Sequence, residues 1–434
     1  MRSDDLILVS VDDHVVEPPD MFEGHLSAQW KARAPRVEKT GKGDDVWIFE
    51  GQRLPNIGLN AVVGRPPEEY GVEPTSYSQM RKGCWDVDAR IEDMNANGVL
   101  ASMCFASFPS FAGKLWAGCQ DRELGLAMLR AYNDWHVDEW CAAHPGRFIP
   151  LGQVPIWDPN LAGEEVRRLA KKGCHAIAFL DNPGVMQFPS LHAEAWKPLW
   201  DACSDEGTVV CIHIGAGKGM VFSSMDAPVD VMITCAPIDI FQCAADLVFS
   251  PFLRNYPSLK FALSEGGIGW IPYFLNRIDY VHEHHHRWTH QDFGGKQPSQ
   301  VFREHMITCF IDDPVGVGLR SEIGVETITW ECDYPHSDTT WPRAPEILWN
   351  SLEGVPEAEI HAMTHKNAMR EFRHQGFEKL GGRERCTVAA LRSQASHVDL
   401  SLIKGAGGTR PTDGVPRPVT AGDITRQLAT ALDG

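Results

Sequence analysis

Short apolar runs alternate along this chain with stretches of helical spacing, and that alternation is its main organisational signal. The first run, Leu8-Val9-Ser10-Val11, leads directly into Asp12-Asp13-His14 and then Val15-Val16-Glu17-Pro18. Further runs predict strands over 99–105, 148–154, 175–180, 209–213, 259–264, 306–311 and 327–330. Between them the spacing predicts helices over 87–97, closed by Gly98, and over 121–144, 160–172, 193–206, 238–250, 270–282 and 357–374. Strand and helix in regular alternation require a parallel sheet, and about eight such strands close on themselves. The expected fold class is α/β, a (β/α)8 TIM barrel.

Residues 1–375 are assigned to that barrel, with an insertion at about 21–84 after the first strand. Within the insertion, Asp45-Val-Trp-Ile-Phe-Glu50 followed by Gly51 signals a hairpin, read as a lid whose Trp47, Phe49 and Tyr70 cover an apolar or aromatic substrate. Residues 376–434 read as a C-terminal appendage with a Gly/Pro-rich linker over 405–418 and one short helix over 423–432. The appendage supplies no strand-end ligand, so removing the chain after about 380 is expected to spare metal binding.

A net charge of −18 argues against an extended nucleic-acid surface. The 12 cysteines form no C-x-x-C pair and several sit in apolar runs such as Val209-Val-Cys-Ile212, as thiols do in a reducing compartment. No N-terminal apolar h-region is evident, and no stretch approaches the roughly 18 uncharged apolar residues of a membrane span. The expectation is a soluble cytoplasmic protein with a small-molecule substrate and neither nucleic-acid nor membrane partners.

Candidate chemistry sits at strand ends. Alternation places Asp12 and His14 on one face of the first strand and Asp13 on the other. His213 closes the fifth strand before Gly215 and Gly217, and Asp333 follows the eighth, in Cys332-Asp333-Tyr-Pro-His336. In a parallel barrel these C-terminal strand ends share one mouth, so Asp12, His14, His213 and Asp333 make a two-oxygen, two-nitrogen set suited to a divalent metal ion. Glu17 either pairs with the backbone turn at Pro18 or faces the ion. His336 either stacks on Tyr334 or Trp341 or faces it too. The run His282-Glu-His-His-His286 reads as a solvated helix surface, and His175 as a structural residue at the barrel bottom.

These segments, with Ser264-Glu265-Gly-Gly-Ile-Gly-Trp270 and Phe310-Ile-Asp-Asp-Pro314, resemble the amidohydrolase-related branch of the metal-dependent hydrolases (amidohydrolase family 2) over about residues 5–375. That branch also holds aminocarboxymuconate-semialdehyde decarboxylase and resorcylate decarboxylase. The resemblance implies that Asp12, His14, His213 and Asp333 are metal ligands, and that the chain is a homodimer. Three departures qualify it. Asp12 and His14 stand where many relatives carry H-x-H. No lysine for carbamylation ends the fourth strand, where Leu180-Asp181-Asn182 lies. Glu265 replaces the strand-six histidine of the decarboxylases. A carboxylate there is a base or ligand at neutral pH rather than a ready proton donor.

The function expected from this set is hydrolysis of a small, apolar or aromatic carbonyl substrate by a metal-activated water. Zn²⁺ is the expected ion, with Fe²⁺ or Mn²⁺ as alternatives, and a second ion is provided for if Glu17, Glu265 and His336 converge. Asp333 would deprotonate the water, His213 polarise the carbonyl, and Glu265 or His336 pass the proton to the leaving group. The alternatives are a nonoxidative decarboxylase of an aromatic or unsaturated acid, and a noncatalytic ligand-binding barrel.

Overall fold

The computed structural model describes every residue except 55, 56, 59, 72–74, 218, 220, 406, 433 and 434. Its barrel strands are β1 Leu8–Val15, β2 Val99–Ala106, β3 in two pieces at Phe148–Ile149 and Gly152–Gln153, β4 Ala176–Phe179, β5 Val209–His213, β6 Phe261–Ser264, β7 Met306–Phe310 and β8 Ile328–Trp330. Every neighbouring pair is parallel, and β8 pairs with β1. The first piece of β3 pairs with β2 and the second with β4, so β3 is the joint that completes the ring. Pro150 has no N–H to offer the ladder, which interrupts pairing without turning the strand. The chain is thus a (β/α)8 barrel.

Alternation along the strands separates two packed layers. Val9, Met103, Ala178, Cys211, Ala262 and Cys309 fill the lumen, while Leu8, Cys104, Ile177, Ile212, Leu263 and Trp330 face the surrounding helices. On β1 the register against β2 slips between Ser10 and Asp13. Val9 and Val11 face the lumen below this bulge, and Asp12 and His14 face it above, because an extra residue re-aims the side chains beyond it.

The insertion forms a three-stranded antiparallel sheet, Arg36–Lys39, Asp45–Phe49 and Gln52–Leu54, rather than a lone hairpin. It sits at the C-terminal end of the barrel, where the Val63 N–H donates to the Pro335 carbonyl and the Tyr77 hydroxyl to the Glu17 carbonyl. Trp47 and Phe49 do not line the mouth as expected. Both are buried, with Trp47 stacked 4.2 Å from Phe108 and Phe49 edge-on to Trp116. Their apolar area is spent on fixing the sheet to the segment after β2.

Beyond residue 375 the chain first seals the barrel base. Cys386 and Leu391 are buried in the lumen cluster, and the Val388 N–H donates to the Leu6 carbonyl. It then climbs the flank, bonding Ile403 to Gly64 and Thr409 to Tyr70 on the insertion. Its last helix, Ala421–Leu432, starts against the segment after β5, where Val229 bonds Val419 and Gly422 bonds Met225.

The stretch Val229–Val248 is by length and composition apolar enough to cross a membrane, with mean hydropathy 1.6, although Asp230, Asp239 and Asp246 keep it from being an uncharged run. In the fold it is two helices, Val229–Cys235 and Pro237–Val248, and the second buries Ile240, Ala244 and Leu247 against the barrel between β5 and β6. Of the 12 free cysteines, only Cys235 is exposed.

Candidate metal centre

Asp12, His14, His213 and Asp333 meet at the C-terminal mouth and are almost fully buried. The two imidazole Nε2 atoms face each other at 3.3 Å. His14 Nε2 lies 3.3 Å from Asp333 Oδ1 and 3.7 Å from Asp12 Oδ1, and His213 Nε2 lies 3.7 Å from Asp12 Oδ2. His213 Nδ1 donates to the Ile214 carbonyl at 2.7 Å, which turns its Nε2 into the group.

Both carboxylate oxygens of Asp12 and of Asp333 are buried without a hydrogen-bond partner. Native proteins seldom leave so many buried acceptors unpaired at one point. Four unpartnered carboxylate oxygens beside two facing imidazole nitrogens, with no lysine or arginine among them, are the donor set of a divalent ion, and the residues fit one. Without the ion the electrostatics are unfavourable. Burial, then the Glu331 and Glu265 charges, push the Asp12 carboxyl well above the usual carboxylate range. Burial and the neighbouring His336 and His213 hold His14 well below the ordinary imidazole value.

Glu265 and His336 form the open side of the centre. Glu265 Oε2 is 3.0 Å from His213 Nε2, and its side chain is 18% exposed. His336 stacks on His14 with ring centroids 3.7 Å apart, and its Nδ1 lies 3.1 Å from Asp333 Oδ1. Burial pulls the His336 pKa down, but Asp333 and Glu265 more than offset this, so the net direction is upward. Phe111 forms an apolar wall, its ring 4.0 Å from that of His213 and 5.1 Å from that of His14.

Glu17 is not brought to the centre. Its two oxygens accept the backbone N–H groups of Ser107 and Phe108 at 2.9 and 2.7 Å, which ties the segment after β1 to that after β2. With both oxygens engaged by backbone, Glu17 is not part of a second ligand set. The histidine run lies on helix Ile271–Thr289, where His284 and His286 bond carbonyls one turn back, and His175 bonds the Glu206 carbonyl.

Two acids that sequence reasoning missed hold the mouth in shape. Asp13, on the outer face, accepts the Tyr334 N–H at 2.9 Å and the Ser102 hydroxyl, and burial lifts its carboxyl to about 7. Glu331 accepts the Glu265 N–H at 3.1 Å and the Cys309 thiol at 2.6 Å, and burial lifts it to about 8. The alternation that paired Asp12 with His14 also pairs Glu331 with Asp333, and was the available signal.

A parallel barrel that gathers two carboxylates and two imidazoles around the ends of its first, fifth and eighth strands is the scaffold of a candidate metal-dependent enzyme. Residues 23–373 match the amidohydrolase family, and the chain belongs to it. Among curated proteins, the 2-amino-3-carboxymuconate-6-semialdehyde decarboxylase of Dictyostelium discoideum is 25% identical over 205 residues, 47% of this chain and 54% of the relative, so the match spans about half that protein's length. The gamma-resorcylate decarboxylase of Rhizobium sp. (strain MTP-10005) is 22% identical over 316 residues, 67% of this chain and 88% of the relative. A 5-carboxyvanillate decarboxylase from Novosphingobium aromaticivorans DSM 12444, solved with bound manganese, superposes with a TM-score of 0.58 at 17% identity, covering 85% of this chain and 97% of that one. The chain is an enzyme of the amidohydrolase superfamily.

Proposed function

We propose that this enzyme is a metal-dependent nonoxidative decarboxylase of a small aromatic or unsaturated carboxylic acid. The observation that carries the reading is the clustering of Asp12 and His213, and of Asp333 and His336, around His14, with all four oxygens of the two aspartates unpartnered. The decarboxylase names of its relatives support that choice over the hydrolysis expected from Glu265 alone. In this reading the four residues hold one divalent ion, with zinc the first candidate and manganese or iron the alternatives. When bound, the ion offsets the buried acids and supplies Lewis-acid attraction for a substrate carboxylate and a neighbouring oxygen.

The chain's own groups then orient the substrate and move the proton. Phe111 packs the flat, apolar face of the substrate against His213 and His14 and keeps water from it. Loss of carbon dioxide leaves the electron pair of the broken C–C bond on the substrate carbon, which must take up a proton. In this reading His336, whose pKa Asp333 and Glu265 raise, would give it. Glu265, partly exposed, recharges the site from solvent.

The specific observation that favours a second reading, metal-dependent hydrolysis, is Glu265 itself, a carboxylate beside His213 able to accept a proton from water. Carbon dioxide release from a panel of hydroxybenzoic and unsaturated acids, assayed beside hydrolysis of esters, thioesters and lactones, decides between the two. Elemental analysis of the purified protein accompanies it. Release from an acid with a bound divalent ion is expected. Ester or lactone turnover without decarboxylation would overturn the first reading.

A further inference from the structure

Among the non-glycine residues in the left-handed backbone conformation, Glu265 at φ +57 and Asp333 at φ +54 belong to the centre itself. Residues with a Cβ avoid this region, so each must be held there by its surroundings. A buried acid takes part in holding each. At Asp333, its own N–H donates to the Asp12 carbonyl at 2.9 Å and the next N–H, of Tyr334, donates to Asp13 at 2.9 Å. At Glu265, the N–H donates to Glu331 at 3.1 Å. Asp13 and Glu331 are buried acids delivered by adjoining parts of the barrel.

We infer that Glu331 is a positioning residue, which sets the Glu265 carboxylate at the metal centre by fixing its backbone. β6 ends at Ser264, in register with His213 on β5, so one further step decides where the next side chain goes. An extended residue there would continue the strand. The left-handed turn instead aims Glu265 back at His213 Nε2, 3.0 Å away. Beyond it the chain has little room to readjust, since a Cβ on Gly266 would stand 2.8 Å from Ile240 and Gly267 is itself left-handed. Glu331 is 1% exposed and reaches the Glu265 N–H from the lumen face of the chain just past β8, two residues before Asp333. Its second bond, from the Cys309 thiol on β7, fixes the acid that does the fixing. The inference rests on the proposed metal centre but not on the reaction assigned to it.

The test uses Co(II) as the probe, because its visible absorption reports the ligand field whatever the substrate. Wild type, Glu331→Leu, Glu331→Gln, Glu265→Ala and the double variant Glu265→Ala/Glu331→Leu are loaded and compared for bound cobalt and for the position of the band. Equal cobalt content is expected throughout. Glu331→Leu should displace the band as Glu265→Ala does, whereas Glu331→Gln, which keeps an acceptor oxygen for the N–H, should match wild type. The double variant should match Glu265→Ala, since Glu331 acts through Glu265. Turnover of whichever substrate the panel yields should run in the same order, with kcat down on the order of 10-fold in Glu331→Leu and KM unchanged. An unmoved band in Glu331→Leu overturns the inference, as does a further shift in the double variant or loss of cobalt from Glu331→Leu alone. If Glu331→Leu does not fold, Glu331→Ala enters the same cycle. A wild type that takes up no cobalt overturns the metal centre and this inference together, while the expected spectra without carbon dioxide release overturn only the decarboxylase reading.

Discussion

Glu17→Gln separates a loop anchor from a metal ligand through the pH dependence of stability. Burial lifts the Glu17 carboxyl from 4.5 to about 7, against the pull of the Phe108 and Ser107 N–H groups. The gap of roughly 2.5 pH units corresponds to about 3 kcal/mol at 1.36 kcal/mol per unit. Because the folded value of an acid is raised, its contribution is fully present below pH 4.5. It is lost as the pH rises through 7, where the unfolded chain has already released its proton. A glutamine cannot ionise, so that loss disappears in the variant. Its single acceptor oxygen serves only one of the two N–H groups, which makes the variant the less stable form at low pH. Urea unfolding of both chains in the presence of a chelator, at intervals from pH 4.5 to 8, measures the difference. The stability difference should move by about 3 kcal/mol in favour of Glu17→Gln across that window, and bound metal in untreated samples should be equal. Parallel stability curves, or a lower metal content in the variant, would refute the reasoning.

Asp12→Asn and Asp333→Asn should each lose most of the bound metal by elemental analysis and reduce turnover by on the order of 10²-fold or more; retention of metal in both would remove them from the ligand set. Since the Asp12 carboxyl is raised by burial and must be deprotonated to bind, a divalent ion added to stripped protein should raise Tm more at pH 8 than at pH 5. Gly98 ends helix Val87–Asn97 at φ +80 with its pro-Cβ direction 2.8 Å from Val388, so Gly98→Ala should destabilise by about 1–3 kcal/mol, and an unchanged Tm would contradict this packing. Ending the chain after 380 removes Cys386, Val388 and Leu391 from the base and should abolish cooperative unfolding by circular dichroism, while removing only 399–434 should not.

The parts of the centre legible in the sequence are those that local periodicity reaches. Asp12 and His14 share a face because a strand repeats every two residues, and His213 and Asp333 are marked by the apolar runs they terminate. Beyond a strand end, the path of the chain is set by long-range partners. Glu17 stands three residues past His14, yet its destination is fixed by amides some 90 residues later in the chain. Trp47 and Phe49 read as substrate-facing because nothing local announces Phe108 and Trp116. Pro150 was visible, but not that it would split one strand into the two ends that close the ring. The packing of Cys386 and Leu391 into the lumen was hidden for the same reason, since the apolar spacing of a short helix does not say what it covers.

The distribution of thiols offers an experimental handle. With eleven cysteines buried, a maleimide added to the native protein has one accessible target, Cys235. That residue ends the short helix whose first residue, Val229, bonds Val419 of the C-terminal segment. A fluorophore attached there without any engineering would sit beside the junction of two rim segments, so its emission would track rearrangements of that junction in real time as metal or substrate is mixed in.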